Sequence, residues 1–240
     1  MNCLILAAGL GSRLRELSES KPLTPVAGVP LIEHVVDRAA AAGASNFTIV
    51  TGHLADRVEA FVATLAARLG VPIRCVRTAD WSRPNGFSVV DGAAAIEGDY
   101  LLLMSDHLFD PAIAASLLAR PAAPLILAVD YRSDSPLIDL EDATKVAVGE
   151  EGRIARIGKT IERWDAVDTG LFRTGPILAE AIGESLERGG QGSLSEGVQA
   201  LADRGEAFTL DVTGRWWLDV DDPRAHALAE EYFRSGFRVA

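Results

Sequence analysis

Leu4-Ile5-Leu6-Ala7-Ala8-Gly9-Leu10-Gly11-Ser12-Arg13-Leu14 is the stretch that decides how this chain folds. An apolar run gives way to small residues and two glycines, and an arginine follows where a helix can begin. That pattern describes a strand of an α/β sheet leaving into a tight loop. Gly9 and Gly11 let the backbone turn sharply and approach a ligand with its N–H groups outward. Arg13 adds a planar fork of donors matched to phosphate oxygens. Further on, Ser20-Lys21-Pro22-Leu23-Thr24-Pro25-Val26 brings a second cation to the same neighbourhood. The segment reads as a cradle for a nucleoside triphosphate.

Two other glycine-rich patterns compete with that reading. The dinucleotide fingerprint needs a third glycine where this chain has Leu14, and a Walker A loop needs Gly-Lys-Ser/Thr, which does not occur here. The same glycines also suit a strand-to-helix turn that binds nothing. Arg13 and Lys21 weigh against it. Lys21, Lys145 and Lys159 are the only lysines in the chain, against 20 arginines. A lysine retained in such a background fits places where a compact ammonium is wanted and a planar guanidinium is not.

With 240 residues, the chain can bury a substantial core as a single domain. No apolar stretch approaches the length of a membrane span, and Gly9, Gly11 and Arg13 interrupt any signal-peptide core. Cys3 and Cys75 are too few for a disulfide framework, so a reducing cytoplasm is expected. A net charge of −11 argues against nucleic acid or anionic membrane as a partner. An acidic protein that binds an anionic nucleotide needs its cations clustered in one cleft, with a divalent metal offsetting nearby carboxylates.

Strand-like and helix-like segments alternate through the first half, as in a mostly parallel sheet. Strands are expected near 2–7, 46–51, 73–77, 100–104 and 124–130, and helices over 30–42, 54–69, 88–95 and 111–118. After about residue 143 the pattern turns to a β-hairpin around Gly152 and a further strand at 166–172. A helix starts at Ser193 with capping chemistry. A strand at 207–212, a strand through Trp216–Asp221 and a helix from Pro223 close the chain. One domain, 1–240, is expected, with the hairpin region 143–172 as a small substrate-facing subdomain.

Leu101-Leu102-Leu103-Met104-Ser105-Asp106-His107 is a buried strand ending in a carboxylate. Strand carboxyl ends line the ligand crevice of open α/β sheets, so Asp106 should face the opening that holds Gly9–Arg13. Asp219 and Asp221 end the Trp216–Leu218 strand and could add a second metal ligand. Magnesium favours one or two carboxylates with phosphate oxygens and waters. Asp222 reads as the cap of the last helix. His107 reads as a supporting residue, because magnesium prefers oxygen and an ionised phosphate needs no general base. In Arg83-Pro84-Asn85-Gly86-Phe87-Ser88, Asn85-Gly86 reads as a turn and Ser88 as a helix cap. The carboxamide could also read a base edge.

Taken together, these residues resemble the nucleotidyltransferases that activate phosphorylated metabolites with a nucleoside triphosphate. Ala7-Ala8-Gly9-x-Gly11-x-Arg13, then Lys21-Pro22-Leu23-x-Pro25-Val26-x-Gly28-x-Pro30-Leu31-Ile32, carry the superfamily pattern. Asn85-Gly86-Phe87-Ser88, Ser105–Phe109, Asp142–Val146, Ile157-Gly158-Lys159, Trp164–Gly170 and Trp217–Asp221 are most similar to the CTP:inositol-1-phosphate cytidylyltransferases. The resemblance implies a Rossmann-like three-layer α/β sandwich with a mostly parallel mixed sheet. It implies transfer of CMP from CTP to inositol 1-phosphate, with magnesium, giving CDP-inositol and pyrophosphate.

Position by position, it implies that Ala7, Ala8, Gly9, Gly11 and Ser12 wrap the nucleotide. Arg13 and Lys21 would act on the reacting phosphates, while Asn85, Gly86 and Ser88 hold the cytidine side. Asp106, Asp219 and Asp221 would hold the metal. Lys145 and Lys159 would bind the acceptor phosphate, and Asp168 its polyol hydroxyls. Many such proteins carry a fused membrane domain. The expectation here is a free-standing enzyme, open to homodimerisation, whose product feeds a separate membrane CDP-alcohol phosphotransferase. Phosphocholine, another amino-alcohol phosphate or a sugar 1-phosphate are alternative acceptors, and a nucleotide-sensing regulatory subunit is the non-enzymatic alternative.

Overall fold

A computed structural model describes residues 1–235. In chain order the strands are β1 (Asn2–Ala7), β2 (Pro25–Val26), β3 (Val29–Pro30), β4 (Asn46–Thr51), β5 (Ile73–Arg77), β6 (Tyr100–Met104) and β7 (His107–Phe109). They continue with β8 (Leu125–Asp130), β9 (Lys145–Val148), β10 (Ile154–Gly158), β11 (Ala166–Thr174), β12 (Ala207–Asp211) and β13 (Trp217–Asp219). The α-helices are α1 (Leu31–Ala41), α2 (Ala55–Leu69), α3 (Asn85–Ala93), α4 (Pro111–Ala119), α5 (Pro176–Glu187), α6 (Leu194–Ala202) and α7 (Pro223–Arg234).

Why β1 sits inside the sheet, between β6 and β4, is written in its sequence. Cys3, Ile5 and Ala7 face one apolar layer, whereas Leu4, Leu6 and Ala8 face the other. A strand apolar on both faces must be covered on both. Helices α1, α2, α4 and α7 cover the first face and α3, α5 and α6 the second, giving three layers. The main sheet runs β10-β9-β11-β6-β1-β4-β5, and β8 and β12 extend it from β11. Strands β6, β1, β4 and β5 are parallel, while β11 runs antiparallel to β6. Connections from β1 pass to β4 and β5 on one side, and β6 returns to the other. The crevice between the carboxyl ends of β1 and β6 is therefore a topological switch point.

Hairpin β9–β10 continues the main sheet through β11. Its turn uses left-handed residues at Glu151 (φ 56°) and Gly152 (φ 72°). Three differences from the sequence reading stand out. Helix α3 begins at Asn85, after Pro84, so Asn85-Gly86 opens the helix and Ser88 lies inside it, not at its cap. Pro84 enters the helix with its ring-fixed φ of −53°, and no side chain caps the helix start. Helix α5 is an element the sequence reading passes over, although Leu178, Ala181 and Ile182 form a buried stripe on it. Strand β7 is also unread in sequence. It pairs antiparallel with β13, so that His107 faces Asp219 and Phe109 faces Trp217. Helix α6 does carry the expected capping box, Ser193 with Glu196. Asp222 caps α7, its side chain accepting from the Ala225 N–H at 2.7 Å. Among the described residues no helix is long and apolar enough to cross a membrane.

Candidate active site

A cavity of about 520 Å³ opens at the β1–β6 switch point. Its walls come from the glycine loop, the ends of β6 and β13, the 137–144 loop and the hairpin residue Lys159. Leu14 is fully buried and anchors the glycine loop. Gly11 adopts the left-handed region, with φ 62°. A side chain on Gly11 would fall 2.8 Å from Lys21 Cγ and Cδ and closer still to its Cβ, so the glycine makes room for the lysine stem. Gly9 is different. A side chain there would meet no protein atom within 4 Å, which leaves its backbone open to a ligand.

Lys21 begins a short 3₁₀ turn, and its side chain is only 12 % exposed. Its ammonium sits between the carboxylates of Asp106 and Asp221. Arg13 reaches Asp221 from the other side and also pairs with Asp142 at 2.5 Å. The two cations therefore converge on one carboxylate, which lies 200 residues beyond Lys21 in the chain.

The β7–β13 ribbon brings the acids together. The Val220 N–H donates to the Asp106 carbonyl at 3.0 Å, holding the end of β13 beside the end of β6. Asp106, His107 and Asp219 each present a ligand atom, all within 4.8 Å of one another. One oxygen of Asp219 is buried and has no hydrogen-bond partner among the described residues. An orphaned carboxylate oxygen beside a second carboxylate is the donor set a hard divalent cation requires, so the residues fit such an ion.

A bulge supports the imidazole. Register shifts in β11 between Asp168 and Phe172, and Gly170 takes φ 78°. The bulge aims the Thr169 carbonyl at His107 Nδ1, 2.8 Å away. A carbonyl only accepts, so Nδ1 carries the hydrogen and donates. Nε2 then faces Asp219 at 3.4 Å and Asp106 at 3.9 Å. Burial alone would pull the imidazole down, but the two carboxylates more than offset it and raise the group to about 10. Burial likewise opposes ionisation of Asp219, yet the facing imidazolium and the nearby cations hold its carboxyl below the usual range. Asp168 lies on the same bulge, its carboxylate accepting from the Gly170 N–H at 2.7 Å. Burial raises its carboxyl to about 6.

The structure does not bring every expected residue to the cavity. Ala8, Gly9, Gly11, Ser12, Arg13, Lys21, Asn85, Ser88, Asp106, Lys159, Asp168, Asp219 and Asp221 line it. Ala7 is buried at the end of β1. Gly86 is a packing glycine, since a side chain there would collide with the Gly192 backbone. Lys145 is not in the wall, and its ammonium donates to the Lys159 carbonyl at 2.9 Å, bracing the turn after β10 that carries Lys159. Asn85 has a second task. Its side-chain oxygen accepts from the Leu194 N–H at 3.0 Å and so ties α3 to the start of α6.

Two cavity residues have places that the sequence left unassigned. Asp142, the first residue of the Asp142–Val146 motif, joins Arg13 to Lys159, and Trp81, 39 % exposed, lines the cavity edge-on to His53 at 5.0 Å between ring centres. An acid in a polar loop and an isolated tryptophan carry no periodic signal.

Fold and site together define a nucleotidyltransferase domain. The family model for the MobA-like NTP transferase domain matches residues 3–151, and the chain belongs to that family. Among curated proteins it is 36 % identical over 229 residues to a "Bifunctional IPC transferase and DIPP synthase" of Rubrobacter xylanophilus, covering 95 % of this chain and 50 % of that protein. It is 31 % identical to the protein of the same description in Aquifex aeolicus, covering 95 % and 51 %. The chain thus spans about half the length of these relatives. Among solved structures, the inositol-1-phosphate CTP transferase from T. maritima superposes with a TM-score of 0.86 at 26 % identity, covering 100 % of this chain and 97 % of that one.

Proposed function

We propose that this chain transfers CMP from CTP to inositol 1-phosphate, releasing pyrophosphate and giving CDP-inositol, a phospholipid precursor, in the cytoplasm. The observation that carries the reading is the seat of Lys21, packed against Gly11 and aimed between Asp106 and Asp221 in a cavity whose far wall holds Lys159 and Asp168. Likeness over the whole length to an inositol-1-phosphate CTP transferase supports the choice of substrates.

An oxygen of the acceptor phosphate attacks the α-phosphorus, and the bond to the bridging oxygen breaks, so that pyrophosphate leaves with the electron pair. The nucleophile is already ionised, and positioning with charge neutralisation carries the rate. Arg13 and Lys21 neutralise charge on the α-phosphoryl group and the departing pyrophosphate. The N–H groups of the loop from Ala8 to Ser12 hold the nucleotide. Asn85 and Ser88 border the cytidine, Lys159 meets the acceptor phosphate, and Asp168 accepts from polyol hydroxyls. Asp106 and Asp219 would hold magnesium, which supplies positive charge to phosphoryl oxygens when bound. The product would be consumed by a membrane CDP-alcohol phosphotransferase.

Pyrophosphate release tests the proposal. CTP with inositol 1-phosphate and magnesium should give turnover well above UTP, ATP or GTP with the same acceptor. It should also exceed CTP with phosphocholine or glucose 1-phosphate. Equal turnover with phosphocholine would reassign the acceptor. No release with any pair would point to a nucleotide-sensing subunit instead.

A further inference from the structure

We propose that Asp142 is an internal counterion shared by the two walls of the cavity, so that phosphate groups bind by displacing its carboxylate. The inference rests on the nucleotidyltransferase reading, which assigns Arg13 and Lys159 to phosphates.

One oxygen of Asp142 pairs with Arg13 on the glycine loop at 2.5 Å, and the other pairs with Lys159 at the end of the hairpin. These partners lie 129 and 17 residues away in sequence. Among the described residues the carboxylate has no other partner. That distinguishes it from its neighbours. In the same loop Asp139 shapes the backbone, its oxygen accepting from the Glu141 N–H at 3.0 Å. Asp142 makes no such backbone bond and stands outside the group formed by Asp106, His107 and Asp219. Its hydrogen bond to Lys159, with Arg13 adding a further positive charge, holds the carboxyl below the ordinary range, so it is ionised at neutral pH.

A carboxylate bound to two cations has spent on itself the charge that an incoming phosphate needs. Asp142, Arg13 and Lys159 side chains are 33 %, 46 % and 57 % exposed, and ion pairs that wet are individually weak. A phosphate carries more charge and more acceptor oxygens than one carboxylate, so it can take either cation. The arrangement keeps Arg13 and Lys159 oriented across the cavity and lowers its affinity for anions, pyrophosphate among them. Weak retention of pyrophosphate suits an enzyme that must release it.

Calorimetric titration of inorganic pyrophosphate, with magnesium present, tests this on the whole chain. Removing the counterion in Asp142→Asn should tighten binding about 3- to 20-fold at low salt, the range two exposed pairs can supply. The gap should shrink as KCl rises from ~0.02 to ~0.5 M, because screening weakens exposed pairs. Asp142→Glu should restore wild-type affinity. A purely structural residue would lower the melting temperature and weaken binding, never tighten it. Unchanged or weaker binding in Asp142→Asn, or a gap insensitive to salt, overturns the proposal, and Asp142→Ala gives the same readout if the amide variant folds poorly. A wild-type chain that binds pyrophosphate but turns over no nucleotide defeats the functional reading and leaves this titration decisive for Asp142.

Discussion

The two walls of the cavity are built in opposite ways. On one side, the glycine loop and Asp106 follow β1 and β6, neighbouring parallel strands that both end at the same edge of the sheet. On the other, His107, Asp168, Asp219 and Lys159 come from antiparallel ribbons and a bulge, assembled from segments distant in sequence. Parallel βαβ units place every strand's carboxyl end on one edge by topology alone. Antiparallel pieces reach the site only when register, bulge and turn are all correct. The first wall should therefore tolerate side-chain changes without unfolding, while the second should couple chemistry to packing.

The sharpest break between them is expected at Lys21. Lys21→Ala should cost on the order of 10²–10³ in kcat, comparable to losing one preorganised donor to a developing charge. Its thermal unfolding should stay near wild type, since the side chain serves the cavity and not the core. A variant with near-full turnover, scored by pyrophosphate release, would remove Lys21 from the chemistry.

Gly170→Ala tests the opposite wall. The new methyl would run into the His107 imidazole and force an alanine to φ near 78°. Overpacking and the left-handed backbone together should destabilise by about 2–4 kcal/mol and lower activity in parallel. Full activity with lowered stability, read by denaturant unfolding beside turnover, would separate the bulge from the site.

Asp130 sharpens the same point. It is fully buried, paired with Arg132, and accepts from the Trp217 indole N–H at 2.7 Å, anchoring β13. Burial opposes its ionisation, but the Arg132 contacts prevail and hold the carboxyl below the usual range. Asp130→Asn keeps the indole bond and loses the charged one, a cost of about 1.5–3 kcal/mol at neutral pH. A depressed folded value means that this stabilisation is present above the unfolded value of about 4 and is lost as pH falls through the folded one. The gap between wild type and variant, measured by urea unfolding, should be level from about pH 5 to 8 and close below about 4. A gap that persists at acid pH would show that shape, not charge, fixes Asp130.

The smallest effect belongs to α6, which packs against α5 and strands β10 and β12. Ser193→Ala should cost about 1 kcal/mol through its cap and leave turnover unchanged. Lost activity there would show that the helix bears on the cavity, through Asn85 and Leu194.

The local sequence determined the alternation of strands and helices in the first half, the glycine loop with its two cations, and Asp106 at a strand end. Each follows from apolar periodicity or from a residue type that only certain backbone shapes accept. Helix α5 was readable in the same way, from its buried stripe at Leu178, Ala181 and Ile182. Tertiary structure alone decided that β7 pairs with β13, that Gly170 seats His107, that Lys145 braces the strand end while Lys159 faces the cavity, and that Asp142 spans both walls. These depend on register between segments remote along the chain, and local sequence encodes which way a strand faces but not which distant strand it meets.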